Sequence, residues 1–291
     1  MTTLPAVAPP HPRAVIWKRP LRAGEAWRWL RAGWRDLLVQ PAASLGYGLI
    51  VVLISMAIVG GLFAFEADYI LFPALAGFMV MGPVLAVGLY EKSRRIEAGE
   101  PIGLLRMILV KPQSGGQVLF TGVLLCLLML LWMRAAILIY ALFFGMVAFP
   151  GLDHIARMLF TTPTGLAMLV VGGMIGGLFA AFSFAISAVS LPMLMRERVD
   201  AFTAMGTSMA LVWNNLPVML TWGAIVLVLI AASVATGFIG LIIAFPVLGH
   251  GTWHAYRALL ADRASGTAPQ TAPQTPEVSD HRGAGTQGVR P

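Results

Sequence analysis

The sequence predicts an all-α fold: a polytopic transmembrane helix bundle of six spans, arranged as three hairpins with short interfacial amphipathic helices. Of the 291 residues, 58% are hydrophobic and 11% are charged, whereas about a quarter of a soluble domain is charged. The apolar residues also cluster in runs of about 20 or more, the length that crosses a bilayer. These two observations exclude a soluble globular enzyme, a disulfide-rich secreted domain and a disordered chain.

The first 40 residues lead into the membrane without crossing it. Residues 1–20 are basic and rich in proline, and they lack the apolar segment of a signal peptide, so we predict a disordered tail. Residues 24–39 read as an amphipathic helix in the headgroup plane, with Trp27 and Trp34 on its apolar side and arginines opposite. Two further amphipathic segments of this kind precede later spans, at 100–111 and 201–213.

The predicted membrane domain covers residues 21–262, and the polar residues 264–291 are predicted to form a second disordered tail. We place the six spans at about 42–65, 70–90, 118–143, 166–192, 217–236 and 240–260. Two apolar runs are too long for one straight span. A run of 32 residues, such as 118–149, extends about 48 Å at ~1.5 Å per residue, against a hydrocarbon core of about 30 Å.

The positions of lysine and arginine decide how these long runs are divided. If the third run is one span and the last run turns near residues 236–240, eighteen of the twenty Lys and Arg residues lie on one side. Cytoplasmic loops carry such an excess of positive charge. Splitting the third run would move Arg196 and Arg198 to the opposite side, and leaving the last run unsplit would move Arg257 and Arg263. We therefore predict cytoplasmic N- and C-termini.

Three phrases stand out within the apolar part of the chain. They are Gly77-Phe-Met-Val-Met-Gly-Pro-Val-Leu-Ala-Val-Gly-Leu-Tyr-Glu-Lys-Ser-Arg94, Ser190-Leu-Pro-Met-Leu194 and Pro246-Val-Leu-Gly-His-Gly-Thr-Trp-His-Ala-Tyr-Arg257. Together with Trp132-Met-Arg134 and Trp213-Asn-Asn-Leu-Pro217, they resemble an uncharacterised family of bacterial integral membrane proteins, domain of unknown function 2189. The resemblance covers about residues 13–262. It implies a multi-pass inner-membrane protein and supplies no catalytic residues.

Some members of that family carry a label that suggests subunit I of cytochrome c oxidase. A haem–copper oxidase needs six histidines inside the membrane to hold two haems and a copper ion. This chain has five histidines in total, and only His250 and His254 lie near a predicted span. The histidine count therefore does not support the oxidase label.

His250 and His254 are the candidates for a metal site, because their i, i+4 spacing puts two imidazoles on one face of a helix. A third ligand is missing nearby, so we favour hydrogen bonds to neighbouring helices or headgroups. We predict no metal site and no cofactor, and we keep a haem or metal carrier as the weaker alternative. Aromatic residues near the span ends are the predicted interfacial anchors: Trp27, Trp34, Trp132, Trp253 and Tyr256.

Arg134 is a charge inside the third apolar run, where it is costly unless it has a partner or reaches the interface. One interpretation is a site on an anion or proton pathway. We favour a structural pair at the external interface, with Glu66, Asp68 or Asp153 as its partner.

The fourth span carries a face of small residues that allows close helix packing. Its glycines are Gly172, Gly173, Gly176 and Gly177. We predict that this helix lies at the centre of the bundle or at the contact between two copies of the chain.

No motif in the sequence indicates catalysis, so we predict no catalytic residue and no enzyme. The net charge is +7, and the basic residues lie in the segments that flank the apolar runs. This position indicates attraction to anionic lipid headgroups rather than to nucleic acid. Cys126 stands alone, so no internal disulfide forms. The favoured role is a non-enzymatic accessory, assembly or scaffold protein that binds other inner-membrane proteins or a second copy. The alternative is a transporter or channel-like protein for a small or lipid substrate.

Overall fold

The computed structural model describes residues 17–100, 102–145 and 151–265, and within these ranges the chain is helical and has no strand. Nearly all of the two predicted tails lies outside the described residues. The chain up to Leu259 packs as one unit, and the following residues Leu260–Ser265 continue the last helix. The helices are α1 (Glu25–Leu38), α2 (Pro41–Ala64), α3 (Leu71–Leu85), α4 (Val87–Glu97), α5 (Leu104–Ile108), α6 (Gly115–Phe144), α7 (Leu152–Thr161), α8 (Pro163–Ser187), α9 (Ser190–Arg196), α10 (Ala201–Asn214), α11 (Leu216–Ala235) and α12 (Leu241–Ser265).

Five helical segments are long and apolar enough to cross a membrane. They are Pro41–Ala64, Asp68–Glu97, Gly115–Phe144, Pro163–Arg196 and Leu216–Ala235. Each corresponds to one of the first five predicted spans, and the long third run forms the single helix α6. The last run turns between Ala235 and Leu241, as the charge distribution predicts. Its second half, α12, is not among the five candidates, because His250, His254 and Arg257 lower the hydropathy of that helix.

The second helix of each hairpin, called here the returning helix, contains a proline, which removes the backbone N–H that would bond the carbonyl four residues earlier. Pro83 precedes the break between α3 and α4 at Ala86, and Pro192 lies just after the break between α8 and α9. Pro246 lies inside α12, which continues through it. The chain therefore forms three hairpins with proline-containing returning helices: α2 with α3–α4, α6 with α8–α9, and α11 with α12.

A short helix precedes each hairpin and packs on the returning helix of the hairpin before it. Helix α5 packs on α4, and α10 packs on α9. The cycle closes because α1, the first helix of the described residues, packs on α12: a Cβ added at Gly33 would overlap the carbonyl oxygen of Val247 and lie 2.7 Å from the amide nitrogen of Gly251. Each hairpin is thus joined to the next around a closed cycle.

A side-chain amide at the start of the first helix of each hairpin stabilises these contacts through a hydrogen bond. The oxygen Oε1 of Gln40 accepts from the backbone N–H of Ile102 (3.3 Å), just before α5. Oε1 of Gln117 accepts from the N–H of Ala201 (3.0 Å), the first residue of α10. Oδ1 of Asn215 accepts from the N–H of Arg19 (2.8 Å), shortly before α1. These three interactions, called here the amide clamps, follow the same cyclic order.

Helix α1 has a buried face as well as the exposed faces that the sequence predicts. Trp27 and Trp34 point outward, while Trp29 is buried and its ring meets Trp222 of α11 edge-on, with ring centroids 6.0 Å apart. Gly33 and Asp36 share this buried face. The helix is therefore held by protein on one side, and Asp36, a carboxylate, points into the interior.

Candidate functional site

A cluster of polar side chains lies buried where α1, α2, α4 and α12 meet. Every member is at most 8% exposed, and Lys92 is fully buried although it is a lysine. Lysine and aspartate are almost never fully buried unless they are paired. The members, called here the polar network, are Asp36, Ser44, Lys92, Ser93 and His250.

Hydrogen bonds join the polar network into one chain. On one side of His250, its Nδ1 lies 2.8 Å from Oγ of Ser93, which donates to Oδ2 of Asp36 at 2.6 Å. On the other side, Nε2 lies 2.9 Å from Oγ of Ser44, which accepts from Nζ of Lys92 at 2.6 Å. Nζ of Lys92 also donates to the carbonyl oxygen of Gln40 at 3.1 Å.

The direction of each bond follows from the number of protons available. Ser93 has one hydroxyl proton, which it donates to the carboxylate of Asp36, so it must accept from Nδ1–H of His250. Ser44 accepts from Lys92, so its own proton points at Nε2 of His250, which in turn acts as an acceptor. A neutral His250 that carries its proton on Nδ1 satisfies every bond of the polar network. Lys92 is then the cation at one end and Asp36 the anion at the other.

Asp36 remains ionised despite its burial. Burial alone raises the pKa of its carboxyl group, but hydrogen bonds from His254 and Ser93, together with the nearby imidazoles, lower that pKa below its usual value. Nε2 of His254 lies 2.9 Å from Oδ2 of Asp36. A buried lysine and aspartate joined through neutral groups avoid the cost of an isolated charge.

Glycines let the four helices approach closely enough for these bonds. A Cβ at Gly33 would overlap the carbonyl oxygen of Val247, and one at Gly48 would overlap that of Ile242. Pro246 has no N–H to bond the Ile242 carbonyl, and it is against this carbonyl that Gly48 of α2 packs. These contacts hold α1 and α2 against α12.

The imidazoles of His250 and His254 both reach the Asp36 and Ser93 side of α12, so the i, i+4 spacing places them on one face. Both ring nitrogens of His250 are within hydrogen-bond distance of serine hydroxyls. Among the described residues, no group of three or more His, Cys, Asp or Glu side chains is arranged to hold a metal ion. His250 is a member of the polar network, and His254 lies within hydrogen-bond distance of Asp36 in that network.

The aromatic anchors divide into two classes. Trp27 and Trp34 are 53% and 45% exposed, as an interfacial role requires. Trp253 and Tyr256 are instead buried, and they donate to Glu97 (3.0 Å) and Glu197 (3.1 Å) respectively. The anchor assignment is corrected for these two, because rings enclosed by protein do not contact headgroups.

Trp132 also requires this correction. It is 7% exposed, and its Nε1 donates to the carbonyl oxygen of Pro73 at 2.9 Å. Its ring lies against Gly176 of α8, where an added Cβ would be 2.8 Å away. Trp132 therefore joins α3, α6 and α8 inside the protein.

Of the four predicted packing glycines, Gly176 makes the close contact. Added Cβ atoms at Gly172, Gly173 and Gly177 would meet nothing within 4 Å among the described residues. Gly173 and Gly177 are exposed, so within one chain they do not bring two helix backbones together. Their role between two copies of the chain stays a prediction.

Arg134 is exposed on α6 and lies outside the polar network. Among the described side chains it forms no ion pair with Glu66 or Asp68, and the side chain of Asp153 lies outside the described part of the chain. The predicted pair with Glu66 or Asp68 is therefore not formed. An exposed arginine on a long helix is free to extend toward the interface.

An apolar cavity of about 90 Å³ lies between the three returning helices and α11. Both helix breaks face it, through Ala86 and Ala188. Aromatic and aliphatic side chains form most of the remaining wall, among them Phe78, Ala180, Phe184, Trp222 and Phe245. Two residues of the cavity wall are close in sequence to the polar network. Gly249 precedes His250, and Tyr90 lies two residues before Lys92.

The sequence predicted only His250 and His254 of this region. The sequence predicts Asp36 in a helix on the membrane surface and Lys92 just beyond the end of the second span, whereas both are buried. Asp36 has a readable signal: it falls three residues after Gly33 and seven after Trp29, on the buried face of α1. Nothing in the sequence distinguishes Ser44 and Ser93 from other serines in apolar helices.

A family model described as "Predicted integral membrane protein (DUF2189)" matches residues 71–196, which confirms the predicted resemblance. These residues run from α3 through α9. No curated protein and no solved structure matches the chain.

Proposed function

We propose that this chain, similar over residues 71–196 to a family of integral membrane proteins of unknown function, crosses a bacterial inner membrane six times with both termini in the cytoplasm. Its proposed role is non-enzymatic: an accessory, assembly or scaffold protein for other membrane proteins. Five apolar helices account for five spans. The excess of lysine and arginine in one set of loops supports the orientation.

The interior position of α12 supports a sixth span. His250 and Trp253 are fully buried, and Tyr256 is 1% exposed. Around these three residues α12 is enclosed by protein rather than lipid, so its polar side chains there need protein partners. The partners of α12 are the polar network, Glu97 and Glu197.

Reporter fusions test this topology. Fusions at Asp68 and Asp153 are expected outside the cytoplasm, and fusions at Lys92, Met195 and Pro291 inside. A fusion after Gly237, in the turn between α11 and α12, is expected outside. If the fusions at Gly237 and Pro291 report the same side, α12 is not a span and the six-span proposal is wrong.

The closed cycle of hairpins is the observation that carries the scaffold role. Hydrogen bonds from the polar network and the amide clamps join one helix to another. A fixed frame of this kind presents its outer surfaces to other molecules. The outer half of α2 is such a surface, since Leu53, Met56 and Ile58 are each at least 50% exposed.

Site-specific photo-crosslinking in the membrane tests the scaffold role. A crosslinking residue at Met56 is expected to yield a discrete adduct with a defined protein. Leu131 of α6, which is exposed to a similar degree, is the matched control and is expected to crosslink to lipid. Lipid adducts alone at both positions would contradict the scaffold role.

The cavity at the helix breaks favours a second candidate, a carrier of a small apolar or lipid substrate. Broken helices that line an internal cavity are typical of transporters. Extraction of the purified protein followed by mass spectrometry tests it with the variants A180W and A181W. Ala180 lines the cavity, whereas Ala181 is exposed and does not. This candidate predicts a stoichiometric apolar molecule in wild type and A181W that is absent from A180W.

A further inference from the structure

A lateral groove of about 480 Å³ lies on the outer side of α11 and α12, separate from the central cavity. Its floor is formed by Ala232 and Ser233 of α11 and by Ala244 of α12. From Gly240 to Val247 the groove follows seven residues of α12, or ~10 Å at about 1.5 Å per residue. Small residues make this floor, so the groove has room for a chain-like apolar ligand.

One end of the groove is closed by α1 and carries a positive charge. Leu30, Arg31 and Trp34 form this end. Arg31 is exposed, and among the described side chains it forms no ion pair, whereas Arg28 on the same helix pairs with Glu25 at 3.0 Å. An exposed guanidinium beside an apolar groove has no counter-charge within the described part of the protein.

We propose that this groove binds an anionic phospholipid, with an acyl chain along α11 and α12 and the phosphate on Arg31. The combination argues for one molecule that is apolar over most of its length and anionic at one end. A guanidinium matches a phosphate group with two parallel hydrogen bonds. Trp34 beside it supplies the amphipathic ring that suits the boundary between acyl chain and headgroup.

This site goes beyond a general attraction between basic loops and a negative membrane surface. General attraction depends on net charge and treats Arg28, Arg31 and Arg35 alike. A groove site depends on Arg31 and on the empty volume over Ala232. The proposal does not rest on the scaffold role or on the central cavity, so it stands or fails separately.

Native mass spectrometry of the full chain in detergent tests the proposal, with phosphatidylglycerol as the probe and phosphatidylcholine as the neutral comparison. The variant A232F fills the groove, and A231F, one residue away on an exposed face outside the groove, is its matched control. R31Q removes the charge at the groove, and R28Q removes an exposed arginine that does not line it.

Wild type is expected to bind a first phosphatidylglycerol more tightly than phosphatidylcholine. R31Q should weaken that first binding step about fivefold, the contribution of one arginine to an anionic headgroup, while R28Q leaves it unchanged. A232F should abolish the first step and A231F should not. R31Q carries the test if A232F does not fold, because Arg31 is an exposed side chain. Equal binding of the two lipids by wild type, or equal effects of R31Q and R28Q, would overturn the proposal.

Discussion

Replacing Lys92 by methionine tests whether the polar network stabilises the helix bundle. The substitution keeps the length of the side chain and removes the buried cation. Two hydrogen bonds are lost, to Ser44 at 2.6 Å and to the Gln40 carbonyl at 3.1 Å, and Asp36 loses the positive charge that balances it. Removing one partner of a buried pair costs about 3–5 kcal/mol, since the other charge stays buried. We expect a loss of that order in the free energy of unfolding.

The measurement is unfolding of the purified protein in mixed micelles of mild detergent and dodecyl sulfate, followed by tryptophan fluorescence. Lys111→Met is the matched control, because Lys111 is exposed and a substitution at such a site changes stability by no more than about 0.5 kcal/mol. The double variant D36N/K92M removes both charges. It should cost about 1–3 kcal/mol less than the sum of the two single variants if the charges interact.

Two outcomes would contradict this account. If Lys92→Met costs no more than Lys111→Met, the buried lysine does not stabilise the bundle. If the double variant costs the full sum, Asp36 and Lys92 act independently, and the hydrogen-bond chain through His250 does not couple them.

Three further predictions use the same unfolding assay. Gly33→Ala and Gly48→Ala should each lower the free energy of unfolding by more than about 1 kcal/mol, because an added Cβ meets the backbone of α12. Gly60→Ala is the control, since nothing lies within 4 Å of the added Cβ there. It should be neutral or stabilising by up to about 1 kcal/mol. Asn215→Ala should cost more than Gln117→Ala, because Asn215 also donates to the carbonyls of Trp17 and Leu211; equal costs would remove the argument that Asn215 closes the cycle. Since the Asp36 carboxyl has a lowered pKa in the folded state, its contribution is present above its unfolded pKa and is lost as the pH falls through the folded value. The stability difference between wild type and Asp36→Asn should therefore shrink between pH 7 and pH 3, and a difference that grows would contradict the assigned charge.

Much of the fold follows from composition and charge. Hydropathy alone identifies α2, α6 and α11, because a helix that faces lipid must be apolar over its whole length. The turn between α11 and α12 is not visible in hydropathy, since the apolar run continues through it. It was predicted from the distribution of arginine and lysine, which reports on the sides of the membrane rather than on helix ends.

The buried face of α1 could not be predicted with the same means. Arg28, Arg31 and Arg35 dominate the pattern of that segment and indicate a surface helix. The residues that contact α12 are small or aromatic, and Asp36 among them reads as one more charge on a polar face. Knowing that α1 packs on α12 requires the tertiary structure, because the two helices are more than 200 residues apart in the chain.

The returning helices of the first and third hairpins share a short pattern that explains their common geometry. Pro83-Val84-Leu85 is followed by Gly88, and Pro246-Val247-Leu248 is followed by Gly251, at the same spacing. A Cβ at Gly88 would overlap the carbonyl oxygen of Met107 in α5, and one at Gly251 would lie 3.3 Å from the carbonyl oxygen of Trp29 in α1.

In both hairpins the glycine therefore receives the backbone of the short helix that precedes another hairpin. The proline leaves one carbonyl of the returning helix without its helical partner, and the glycine five residues later lets that short helix dock closely. The same pair of residue types accounts for two of the three joints in the cycle. The second hairpin uses a different joint, in which Oγ of Ser208 on α10 donates to the carbonyl oxygen of Ala185 and accepts from the N–H of Val189 at the helix break. A hydroxyl that satisfies both backbone groups of the break takes the place of the glycine contact there.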